Sequence, residues 1–129
     1  MSSVILDSSA VLALVLGEPG GERVKALLVE QQAHTAISTI NWCEVLTRLQ
    51  RHSPIVSAAT LPAMLPGVEV VPFTQSEAQN TAELAKTCGS LSLGDRACLA
   101  LASSRHATAW TTDRIWGRVK IGIDLEILR

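Results

Sequence analysis

The chain has no tyrosine, a single phenylalanine and three tryptophans among 129 residues. So few aromatic side chains exclude a platform on which several bases stack. Cysteine is sparse too. Cys43, Cys88 and Cys98 are widely spaced and form neither a CxxC pair nor an even set. That excludes a zinc site and a disulfide framework, and leaves reduced, mostly buried thiols as the expectation. The longest apolar run, Ala10–Leu16, is too short to span a bilayer. Met1 leads straight into strand-like sequence, without a basic segment and cleavage site. A cytoplasmic protein without a membrane span is therefore expected. Net charge is only −1, so no global basic field draws in nucleic acid. Any such contact must be local, through a few arginines or a metal.

What is present is a self-sufficient domain. Apolar residues make up 47% and charged residues 18%, the balance of a folded chain rather than a disordered one. At this length residues 1–129 form one domain with a core of its own. Val4–Leu6 is a continuous apolar run, as in a strand buried on both faces. Thr35–Ser38, Glu69–Phe73 and Thr108–Thr111 read as further strands, and Ile123–Leu128 alternates like a half-exposed edge strand. Helices are expected from Ser8 or Ser9 to Leu16, across Val24, Leu27 and Leu28, over Asn41–Arg51, over Glu77–Cys88 with Ala78, Ala82 and Ala85 inward, and over Leu93–Arg105. Ala97 to Ala102 is apolar all round, which marks a helix packed on more than one side. Pro54, Pro62 and Pro66 make the stretch between the third helix and third strand irregular or shortly helical. The alternation implies a three-layer α/β/α sandwich with a mainly parallel sheet of about five strands.

Three of the four aspartates follow or open apolar segments: Asp7 after VIL, Asp95 in LSLGDRACLALA, and Asp113 in AWTTDRIW. A carboxylate in such a setting is costly unless its charge is offset. In parallel sheets, ligands bind at the carboxyl ends of strands. Asp7 and Asp113 follow strands. Asp95 and Glu44 lie near helix starts that belong to the same edge. Four acids on one rim suit a hard cation with oxygen ligands. Each acid also has a plainer reading. Asp7 and Asp113 can cap the helices that follow them. Ser92 and Asp95 match a capping box. Glu44 can pair with Arg48 at i,i+4 on a solvated face. Asp124 alternates with Ile123 and Leu125 and reads as solvent-facing.

Arg96 and Arg114 each follow a rim acid, where a guanidinium can hold a phosphate in bidentate fashion or pair with a carboxylate. His34, His52 and His106 lack metal-ligand spacing. Trp42, Trp110 and Trp116 read as core. A phosphoacceptor receiver domain needs adjacent acids after the first strand, yet Ser8 and Ser9 follow Asp7. A haloacid-dehalogenase-type phosphatase needs Asp where Ser9 stands.

Strand–Asp7-Ser8-Ser9, Glu44 in the third helix, Leu93-Gly94-Asp95-Arg96 opening a buried helix, and Thr111-Thr112-Asp113-Arg114 after a strand together resemble the PIN domain. More closely, the chain is similar to the VapC toxins of bacterial toxin–antitoxin pairs. The resemblance implies Mg²⁺- or Mn²⁺-dependent endoribonuclease activity with Asp7, Glu44, Asp95 and Asp113 as the metal-binding acids. It places small hydroxyl residues near the metal at Ser9 and Thr111. It implies RNA as substrate, products with a 5′-phosphate and a 3′-hydroxyl, arrest of translation, a DNA-binding VapB-like antitoxin and a homodimer. The proline-rich Pro54–Pro66 departs from relatives with more regular helix there, on the antitoxin-facing surface. A housekeeping RNA-processing nuclease and a catalytically idle protein-binding module are the alternatives. The chemistry itself needs an activated water and relief of phosphate charge, which a bound divalent ion supplies. Glu44 would coordinate that ion or orient and deprotonate the water. Clustered like charges should raise at least one carboxyl pKa.

Overall fold

The computed structural model describes residues 2–31, 33–52, 56–119 and 121–129. In chain order the elements are β1 (Ser2–Leu6), α1 (Ser8–Leu16), α2 (Gly21–Glu30), β2 (Ala33–Ser38), α3 (Thr39–His52), α4 (Leu61–Met64), β3 (Glu69–Val71), α5 (Gln75–Cys88), α6 (Leu93–Ser104), β4 (Thr108–Thr111), a 3₁₀ turn (Arg114–Arg118) and β5 (Leu125–Ile127). The five strands form one sheet in the order β3-β2-β1-β4-β5. Every neighbouring pair is parallel. The expected three-layer α/β/α sandwich is therefore what the chain adopts.

Side-chain alternation on β1 divides the core. Val4 and Leu6 pack with Val11, Leu12, Val24, Val45 and Leu49 of α1, α2 and α3. Ile5 turns to the other face, with Leu99, Leu101 and Ala102 of α6, Cys88 of α5 and Trp116. Ile5 and Leu6 are both fully buried. Each contributes about 1.5–3 kcal/mol through that burial. The all-round apolar stretch of α6 follows from its place: it packs against α5, α3 and the strands together, so Ala97–Ala102 are all buried.

Some expectations need correction. The inward side of α5 is not Ala78, Ala82 and Ala85. Ala82 and Ala85 are exposed, while Thr81 and Cys88 are buried and Leu84 is half-buried. These three lie at i, i+3 and i+7, a single stripe of a 3.6-residue helix, and small alanines gave no contrast from which to read it. Only Trp116 is a fully buried tryptophan; Trp42 and Trp110 are half-buried at the edge of the core. The last strand is shorter than expected and its three residues are all half-buried. In the proline-rich stretch, Pro62 opens the short α4, whereas Pro54 lies outside the described residues.

Candidate active site

The strand order reverses at β1, which is flanked by β2 on one side and β4 on the other. A crevice opens at the carboxyl ends of strands at such a reversal. Leu6 pairs with Trp110, so the chain leaves β1 at Asp7 directly beside Thr111. The Asp7 N–H continues the ladder by donating to Trp110 O at 3.1 Å.

Asp7 is only 3% exposed. Its Oδ1 accepts from the Ser9 hydroxyl at 2.7 Å and the Ala10 N–H at 2.8 Å, and its Oδ2 from the Thr111 hydroxyl at 2.5 Å. The plain reading as helix cap is thus realised. Burial pushes the Asp7 carboxyl up to about 6. The hydrogen bonds from Thr111, Ser9 and Ala10 pull against this, and the negative charge of Asp95 adds to the rise. A raised carboxyl pKa was expected from like charges; burial is the larger cause. Ser9 and Thr111 lie 3.3 Å apart, hydroxyl to hydroxyl, and Ser9 Oγ also accepts the Thr112 N–H.

Asp95 stands in the first turn of α6. Its Oδ2 accepts the Ser92 N–H while Ser92 Oγ accepts the Asp95 N–H, a complete capping box. Glu44 is exposed on α3. Asn41, one turn earlier and only 1% exposed, donates from Nδ2 to Glu44 Oε1 at 2.9 Å and to Gly94 O at 3.0 Å. The Glu44 carboxylate rests where a side chain on residue 94 would stand: a Cβ added to Gly94 would lie 2.5 Å from both of its oxygens. The absence of that Cβ admits Glu44 to the start of α6. From sequence, Asn41, three residues before Glu44, reads only as a helix cap; the structure makes it the donor that joins Glu44 to Gly94 O.

Cys98 lies one turn below on α6 and is fully buried. Burial raises its thiol pKa, and the charges of Asp7, Asp95 and Glu44 raise it further. Three of the four acids therefore act electrostatically on one buried point. Asp113 is tied to this group through the backbone, its N–H donating to Thr111 Oγ1 at 3.0 Å, while its Oδ1 caps Ile115 N–H at 2.9 Å.

Among the described residues, no three His, Cys, Asp or Glu side chains are arranged to hold a metal ion. This differs from the expected pocket of four converging carboxylates. The reason is local: Asp95 and Asp113 each aim one oxygen at an N–H of their own helix end, and Glu44 aims one at Asn41. The donor chemistry still fits a hard cation. All four groups are carboxylates, and the second oxygens of Asp95, Asp113 and Glu44 have no hydrogen-bond partner among the described residues. The buried Asn41 Oδ1 beside them is also unpartnered.

The arginines divide. Arg96 donates to Thr81 O at 2.9 Å and Leu91 O at 3.5 Å, bracing α5 against α6. It is neither turned to the rim nor paired with a carboxylate. Arg114 is exposed and makes no hydrogen bond among the described residues. The expected Glu44–Arg48 pair is absent from the ion pairs of the described residues.

The PIN domain family matches residues 4–122. The chain belongs to the PIN domain family. No curated protein matches it. Solved structures share the fold at low identity. A chain of VapBC2 from Rickettsia felis, bound to a promoter DNA fragment, superposes with a TM-score of 0.79 at 17% identity, covering 98% of this chain and 99% of that one. DNA-bound VapBC from Salmonella typhimurium gives 0.72 at 21% identity over 100% of both chains. VapC20 of Mycobacterium tuberculosis, a sarcin-ricin loop cleaving toxin, gives 0.69 at 16% identity over 89% of this chain and 93% of that one. In this PIN domain Asp7 follows β1 and Asp113 lies just beyond β4, the neighbouring strands at the reversal of strand order, and among the described residues no helix is long and apolar enough to cross a membrane.

Proposed function

We propose that this PIN domain is a Mg²⁺- or Mn²⁺-dependent endoribonuclease, the toxin of a toxin–antitoxin pair, that cuts cellular RNA and so stops translation. The observation that carries the reading is Asp7, a buried carboxylate held by Ser9 and Thr111 at the crevice between β1 and β4. A buried acid with three donors built around it is a device for presenting negative charge at a fixed point, and its cost is tolerated where function needs it.

Asp7 and Asp95 would hold the divalent ion, with Asp113 and Glu44 completing the set. That ion, when bound, would polarise a phosphoryl oxygen and lower the pKa of the attacking water. Ser9 and Thr111 keep the Asp7 carboxylate in one orientation. Glu44, fixed by Asn41, receives the proton of the attacking water. The water oxygen bonds to phosphorus, the P–O3′ bond breaks, and the 3′-oxygen is protonated by solvent. The products are a 5′-phosphate and a 3′-hydroxyl. Arg114 follows Asp113, is exposed, and would contact a substrate phosphate.

The partner proposed is a VapB-like, DNA-binding antitoxin, since the relatives above are VapBC complexes with DNA. Leu93 and Ile115, each 54% exposed on rim segments, offer apolar contacts for it. A homodimer in the cytoplasm is the setting proposed. One observation favours an idle binding module of the same fold: the lack, among the described residues, of three acids in ligand geometry. Cleavage of a structured RNA by the wild type, abolished by EDTA and by Asp7→Ala, supports the nuclease. No cleavage with Mg²⁺ or Mn²⁺ overturns it. Growth arrest on induction, lost in Asp7→Ala, and a short antitoxin frame directly upstream separate a toxin from a housekeeping nuclease.

A further inference from the structure

A cavity of about 350 Å³ runs between α1 and α3 and meets the acid rim at Glu44. Ser8, Glu44 and Thr47 line part of it, Leu12 and Cys43 add apolar wall, and Arg48 and Arg51 complete it. Both arginines are exposed on α3. Neither takes part in an ion pair or hydrogen bond among the described residues. Two unpaired guanidiniums beside a carboxylate-lined crevice are the reverse of what self-neutralising surface chemistry produces. On a helix with a rise of about 1.5 Å per residue, they stand about 6 and 10 Å beyond Glu44.

We infer that this cavity is a phosphodiester subsite, in which Arg48 and Arg51 hold the RNA backbone on one side of the scissile bond. The inference rests on the nuclease reading and deepens it. The cavity shares Glu44 with the acid rim, so it adjoins the place where the scissile bond would lie. Guanidiniums match phosphate oxygens in bidentate geometry. Leu12 and Cys43 give the apolar side chains of the lining, enough for the edge of one base. The subsite supplies the local positive charge that a chain of net charge −1 otherwise lacks.

Binding is measured with a fluorescent single-stranded RNA 12-mer in EDTA, so that cleavage does not enter. The expected result is that Arg48→Gln/Arg51→Gln weakens binding about 10- to 30-fold at about 0.1 M salt and lowers the slope of log K against log salt by about 1.4, the value for two lost phosphate contacts on a single strand. The charge-matched control Lys25→Gln/Lys86→Gln should bind as the wild type does. A second readout uses the unmodified protein. Cys43 is exposed, whereas Cys88 and Cys98 are buried, so saturating RNA should slow alkylation of Cys43 at least fivefold. Unchanged affinity in the arginine variant, an equal loss in the lysine control, no binding by the wild type, or an unprotected Cys43 each overturns the subsite. Arginine-dependent binding without any cleavage in Mg²⁺ leaves the subsite standing and removes the nuclease reading instead.

Discussion

The hydroxyl of Thr111 donates to Oδ2 of Asp7 across 2.5 Å, joining residues 104 positions apart in sequence. The Thr111 hydroxyl oxygen in turn accepts the Asp113 N–H at 3.0 Å. Thr111 thereby fixes the charge of β1 and the backbone of the β4 motif at once. Thr111→Val keeps the shape and removes both bonds. The expected cost is about 1–3 kcal/mol, because a buried carboxylate loses a donor and an amide loses its acceptor. The Asp7 pKa should rise further. Urea unfolding at neutral pH measures the first, and carboxyl titration by NMR the second.

Asp7 makes stability depend on pH. Burial pushes its carboxyl up to about 6 in the folded protein, from an ordinary value of 3.8. The folded state therefore holds the proton more tightly than the unfolded chain does. The contribution is fully present below about pH 4 and is lost as pH rises through about 6, an effect of about 3 kcal/mol. In EDTA, the wild type should lose stability between about pH 4 and 7, while Asp7→Asn should not show that loss. Parallel curves would count against the buried charge. Glu69 acts in the opposite sense: hydrogen bonds from Arg105 and His34 hold it at about 2, so its contribution disappears as pH falls toward that value. Its exposure limits this to at most about 1 kcal/mol.

Gly94 separates activity from stability. Alanine there places a Cβ against the Glu44 carboxylate, the free end of a flexible side chain. Glu44 should swing away at little cost, and the helix should gain about 0.5–1 kcal/mol from losing glycine. Gly94→Ala is expected to melt no lower than the wild type and to cleave RNA at least tenfold more slowly. Wild-type cleavage would remove Glu44 from the mechanism.

Asn41→Ala leaves Glu44 and Gly94 O without their donor. The expected signature is a lowered kcat with KM nearly unchanged, since Asn41 positions a reacting group and touches no substrate. Asn41→Ser should restore part of the rate. A change confined to KM would contradict the assignment.

Mn²⁺ should stabilise the native fold by about 2.7 kcal/mol at a hundredfold excess over its Kd. Asp95→Asn keeps an oxygen for the Ser92 N–H and should fold, yet lose that stabilisation. Thermal melts of both proteins with and without Mn²⁺ decide it. Equal shifts would place the ion elsewhere.

The layers of the fold and the residues that carry its charge can be read along the chain. The apolar run Val4–Leu6, the all-round apolar stretch of α6 and the spacing of turns were enough for a parallel three-layer fold, because burial on two faces leaves a period that can be read in one dimension. The capping roles of Asp7, Asp95 and Asp113 were legible for the same reason: each partner lies within three residues. The bonds of Arg96 to Thr81 O and Leu91 O are not legible in the sequence, because these partners belong to another helix and a loop. Packing in three dimensions is what makes β1 and β4 neighbours, brings Asn41 to Gly94, lets Gly94 make room for Glu44, and leaves Arg48 and Arg51 without an ion pair among the described residues in a shared cavity. These are relations between distant segments, set by how whole faces pack, and no local periodicity encodes them.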